Sequence, residues 1–64
     1  MKRDQVIRLL REEAKALGWS LEIDMKSEKG SHYRIEVNGR KSIIKSGELS
    51  PLYIEIIRRQ LGLR

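Results

Sequence analysis

Cysteine and phenylalanine are missing from this chain, and proline, histidine and tryptophan occur once each. Without cysteine, neither a disulfide framework nor a thiolate metal site can reinforce the fold, and the absence suits a reducing cytosol. One histidine with no carboxylate constellation around it excludes the familiar catalytic metal centres, so no metal and no other cofactor is expected. The glycines match neither the dinucleotide fingerprint nor the P-loop. No apolar run approaches the length needed to cross a membrane. The opening MKRDQVIRLL places charges where a signal peptide needs its apolar segment. These absences describe a soluble cytoplasmic protein with no membrane partner.

Positive charge is what the chain has in excess. Its 64 residues form one domain, 1–64, with 14 Lys and Arg against 9 Asp and Glu, a net charge of +5. Residues 1–32 hold seven cations and six anions, whereas residues 33–64 hold seven and three, so the second half carries +4 of the total. A domain this small buries only about 60% of its unfolded surface. A concentrated basic half on such a domain is expected to meet a polyanion, nucleic acid or an acidic protein surface.

Apolar spacing divides the chain into five elements. Val6, Ile7, Leu10, Ala14 and Leu17 make one stripe of a helix over residues 4–17, with Asp4 as its N-cap and Gly18 as its stop. Residues 19–25 alternate strictly, Trp19, Leu21, Ile23 and Met25 on one side and Ser20, Glu22 and Asp24 on the other, as in a half-buried strand. A polar loop over residues 26–30 leads to a hairpin. After it, Ser50-Pro51 opens a second helix with serine as N-cap and proline at N1. Leu52, Tyr53, Ile56, Ile57 and Leu61 form its expected stripe, and Gly62 its cap. Arg58 and Arg59 suit the negative end of that helix dipole. The order α-β-β-β-α predicts an α+β fold, a three-stranded antiparallel sheet with two helices on one face.

The hairpin carries the chemistry. Asn38-Gly39 suits a type I′ turn, which needs positive φ at both central residues. Counting outward pairs Val37 with Arg40, Glu36 with Lys41, Ile35 with Ser42, Arg34 with Ile43, Tyr33 with Ile44 and His32 with Lys45. Tyr33, Ile35, Val37 and Ile44 then face the core, and His32, Arg34, Lys41 and Lys45 face solvent. Pairing Met25 with Ser31 would set Asp24 beside His32 as an orienting carboxylate and Glu22 beside Arg34. A lone histidine on an open strand is ordinarily a polar surface residue, and surface cations ordinarily keep a sheet soluble. Ile43, apolar on the polar face, is either a tolerated exposed side chain or a contact for a partner protein. Ser31 is adjacent to His32 and points the other way, so no nucleophile–base–acid triad forms.

Lys29-Gly30-Ser31-His32, set between VIRLLRE in the first helix and IIRRQLGL in the last, resembles the signature of the HicA toxin family. The Gly18-Trp19 step into the first strand is similar too. The resemblance covers nearly the whole chain, although residues 19–30 are a few longer than usual, and Lys45-Ser46-Gly47 stands where the family often has proline and histidine. It implies a fold like the double-stranded RNA-binding domain and a metal-independent endoribonuclease acting on messenger RNA. It further implies that His32 is catalytic and that a HicB-type antitoxin is the partner. Arg34, Lys41, Lys45 and Lys29 are then the candidates to hold RNA phosphate, with Gly30 and Ser31 shaping the loop before His32. A non-catalytic RNA-binding module and a small protein-docking adaptor are the alternatives on the same scaffold.

Overall fold

The computed structural model describes residues 1–24 and 32–63. Helix α1 spans Arg3–Ala16, strands β1, β2 and β3 span Leu21–Asp24, Tyr33–Val37 and Arg40–Ile44, and helix α2 spans Pro51–Gln60. The strands form one antiparallel sheet in the order β1-β2-β3. Both helices lie against the same sheet face: Val6, Leu10 and Ala14 of α1 and Ile54 and Ile57 of α2 join Leu21, Ile35, Val37 and Ile44 in one core. The expected α+β layout is the one the chain adopts.

Local chemistry explains where α1 begins and ends. Its N-cap is Lys2, not Asp4, because the first two residues are held extended. The Met1 carbonyl accepts from the Leu49 amide at 2.8 Å, the terminal amine lies 2.6 Å from Glu48, and Lys2 forms a β-bridge with Glu48. The helix therefore starts early. Asp4 falls in its first turn, where the dipole favours a carboxylate, and the Gln5 side chain accepts from the Lys2 amide at 3.0 Å. At the other end Gly18, at φ 81°, donates to the Lys15 carbonyl while Trp19 donates to that of Ala14. This double return satisfies two helix-end carbonyls and sends the chain down toward β1. Leu17, expected in the apolar stripe, is the C-cap where the chain turns away, and it is 51% exposed.

Helix α2 is rotated relative to its expected phase. Ser50 caps it, accepting from the Tyr53 amide at 3.2 Å, and Pro51 occupies the first turn. The buried row is Ile54, Ile57 and Leu61, with Tyr53 half-buried, whereas Leu52 and Ile56 are exposed. Leu61 is the cap and Gly62 the residue after it, and Leu63 folds back into the core. Arg58 lies 3.1 Å from Glu13 of α1 and 2.9 Å from Glu55, so it ties the helices together as well as meeting the dipole.

Two measurements check this packing. Ile54→Ala should cost about 2–5 kcal/mol in urea unfolding, since it leaves a cavity in the core, while Leu52→Ala should stay within about 0.5 kcal/mol. In acid, the hydrogen bond from the Met1 amine, followed by the charge of that amine, holds the Glu48 carboxyl below its ordinary range. A carboxyl depressed on folding stabilises the protein above its unfolded value of 4.5 and loses that contribution as pH falls through the lower folded value. Glu48→Gln should therefore flatten the acid limb of the thermal stability profile.

Candidate functional site

The uncovered face of the sheet is where the sequence pattern put function, and the hairpin delivers most of it as counted. Asn38 and Gly39 adopt φ of 50° and 84°, the positive values a type I′ turn requires. The ladder beyond the turn pairs Val37 with Arg40, Glu36 with Lys41, Ile35 with Ser42, Arg34 with Ile43 and Tyr33 with Ile44. Arg34, Lys41 and Ile43 consequently share the open face, while Ile35, Val37, Ser42 and Ile44 are buried. His32 is exposed at the residue that enters β2. Lys29, Gly30 and Ser31 lie outside the described residues.

The ladder stops one pair short of the expected His32–Lys45 partnership. Strand β3 ends at Ile44, and Tyr53 of α2 captures the backbone at that end. Its hydroxyl accepts from the Lys45 amide at 3.1 Å and donates to the Ile43 carbonyl at 3.3 Å, and the Lys45 ammonium stands 5.0 Å from its ring centre. Lys45 thus belongs to the β3 edge and α2, not to a site opposite His32. Tyr33, at the core side of β2, carries the Arg3 guanidinium 3.7 Å from its ring centre.

The first strand sits two residues away from its expected register. Leu21 pairs with Val37, Glu22 with Glu36, Ile23 with Ile35 and Asp24 with Arg34. Asp24 therefore stands opposite Arg34 and does not orient His32. The shift retains every side chain on its expected face, because two residues are one full period of a strand. Across the open face the rows read Glu22–Glu36–Lys41 and Asp24–Arg34–Ile43. Three carboxylates against two cations give these six residues a net charge of −1, so the expected cationic cluster is not assembled on the sheet. Charge instead changes sign across it, acidic on β1 and basic on β3.

Two concavities lie along this gradient. One, of about 540 Å³, wraps the β3 edge and is lined by Arg34, Lys41, Ser42, Ile43 and Gln60. The Ser42 hydroxyl donates to the Gln60 side-chain oxygen there, a contact between strand and helix that no sequence periodicity signals. The other, of about 260 Å³, lies on the open face between Glu22, Asp24, Arg34, Glu36 and Lys41. Among the described residues no group of three or more His, Asp or Glu is placed to hold a metal, and no helix is long and apolar enough to cross a membrane. No family model, curated protein or solved structure matches the chain.

The two possible registers of β1 differ in which residues face each other, and solution NMR separates them. Strand partners that do not exchange hydrogen bonds bring their Cα hydrogens close. A cross-strand Hα–Hα contact should appear between Ile23 and Ile35, as between Arg34 and Ile43 in the hairpin. A contact between Ile23 and Tyr33 would mean the register expected from the sequence.

Proposed function

We propose that the protein is a metal-independent endoribonuclease of the HicA type, cutting single-stranded messenger RNA as the toxin of a toxin–antitoxin pair. The observation that carries this reading is the exposed His32 at the entry to β2, directly after Gly30-Ser31 in an α-β-β-β-α chain. The helix-covered sheet of that order is similar to the double-stranded RNA-binding fold, the finer class to which we assign it. A HicB-type antitoxin is the partner this reading requires, and the cytoplasm is where both would act.

The chemistry needs one imidazole and a set of cations. RNA carries its own nucleophile in the 2′-hydroxyl. Cleavage needs a group to take that proton, charge to stabilise the phosphorane, and a group to protonate the leaving 5′-oxygen. His32 is the side chain suited to proton transfer near neutral pH, and it serves as base or as acid. Arg34 and Lys41, which line the β3-edge groove, hold phosphate. Lys45, just after β3, extends that contact, and Lys29, outside the described residues, stays a phosphate candidate on the sequence resemblance alone. Asp24, opposite Arg34, competes with phosphate for that guanidinium, and Glu22 and Glu36 repel the RNA backbone from the β1 side. The substrate path therefore runs along β3, and turnover is modest because one positioned proton-transfer group contributes about 10²–10⁴-fold.

The test uses wild type and His32→Ala on single-stranded RNA in EDTA, with folding checked by thermal unfolding. Wild type should cut and His32→Ala should fall by about 10²-fold or more at equal stability. Arg34→Ala should weaken RNA binding and reduce its salt dependence by about one charge. Equal cutting by wild type and His32→Ala would overturn the assignment of His32. Binding by both with no cleavage would make the protein a non-catalytic RNA-binding module.

A further inference from the structure

Strand β3 is an edge of the sheet, with β2 on one side and, among the described residues, no strand on the other. Its backbone bonding is set by the turn. Residues flanking a two-residue hairpin turn exchange both hydrogen bonds, and the pairs then alternate. Arg40, Ser42 and Ile44 bond to β2, so the amides and carbonyls of Lys41 and Ile43 point away from it. Tyr53 agrees with this alternation, since it bonds the Ile43 carbonyl and the next outward amide, that of Lys45. The Lys41 amide, the Lys41 carbonyl and the Ile43 amide have no hydrogen-bond partner among the described residues.

Side chains around this free edge have a consistent character. Ile43 is 44% exposed on the strand, and Ile56 is 44% exposed on α2. Ile56 falls between Tyr53 and Gln60 at the helical spacing that brings both of those residues to β3. Residues 40–45 carry three cations and no carboxylate, and the open-face carboxylates all stand on β1 and β2. Edge strands this exposed are templates for another strand, and main-chain bonds with alternating side-chain contacts are how such a strand is recognised.

We propose that the free edge of β3 takes an extended acidic segment of a partner protein as a fourth strand of the sheet. Carboxylates of that segment meet Lys41 and the groove-lining Arg34 on the open face, and its apolar residues, which alternate to the other face, rest on Ile56 of α2. A second copy fits less well. Pairing β3 with β3 sets the same cations against each other, and pairing β3 with the acidic β1 gives a head-to-tail contact that does not close. The inference rests on the edge geometry and charge, and it holds whether or not the protein cleaves RNA.

The experiment is an NMR titration of the full chain with a short capped peptide alternating valine and glutamate. The amide signals of Lys41, Ser42 and Ile43 should shift, and hydrogen exchange at the Lys41 and Ile43 amides should slow at least about tenfold. A peptide with lysine in place of glutamate should leave them unmoved. Ile43→Pro removes an outward amide without removing a bond to β2, and it should abolish the response. Ile56→Glu, on an exposed helix position that does not threaten the hairpin, should weaken the peptide about tenfold by charge and lost apolar contact. The proposal is overturned by no change along β3 at millimolar acidic peptide, or by equal binding of the lysine peptide. Protection of the same amides in a self-associated, peptide-free protein would overturn it by assigning the edge to a second copy, and protection by a short RNA in place of the peptide would assign it to nucleic acid.

Discussion

The two-residue turn at Asn38-Gly39 is the constraint on which the rest of the structure depends. Positive φ at both residues closes the hairpin with the hand of twist the strands already have. Once the turn is closed, every residue of β2 and β3 has its face assigned. Ile35, Val37 and Ile44 become the floor on which both helices pack, and a one-residue slip of either strand would turn that strand's share of the floor to solvent. The same turn sets Arg34, Lys41 and Ile43 outward and determines which amides of β3 remain free. Core, open face and edge are three consequences of one local conformation.

How much can be read from the chain tracks how local the deciding interaction is. The hairpin register is legible because its turn contains the information. The register of β1 is not, since a two-residue shift retains alternation: Leu21 and Ile23 face the core opposite Val37 and Ile35, as they would opposite Ile35 and Tyr33. With that shift goes the expected contact of Asp24 with His32. The phase of α2 is ambiguous because Leu52, Tyr53, Ile54, Ile56, Ile57 and Leu61 cover more of the helix than one stripe, and only the packing selects Ile54 over Leu52. Lys45 is drawn away by Tyr53, and the cap of α1 is moved by the pairing of Met1 and Lys2 with Glu48 and Leu49. Both are tertiary contacts that no window of sequence contains.

Electrostatically, the sheet is a gradient. Carboxylates on β1 and cations on β3 leave the open face near neutrality while giving it direction, so an anionic ligand is drawn to the β3 side. RNA phosphate and an acidic strand are both anions, and both would compete for Lys41. A partner strand on β3 would cover part of the path proposed for RNA without touching His32. Such competition is a physical route by which a protein partner would oppose the proposed RNA cleavage.

In the proposed reaction, His32 moves protons for attack by the RNA's own 2′-hydroxyl. The most direct measurement is the chemistry of the cut ends in RNA exposed to the purified protein in EDTA. Attack by the 2′-hydroxyl leaves a 2′,3′-cyclic phosphate on one fragment and a 5′-hydroxyl on the other, and these ends should be absent with His32→Gln. A 3′-hydroxyl with a 5′-phosphate, or the same cyclic ends from the variant at the wild-type rate, would contradict the account.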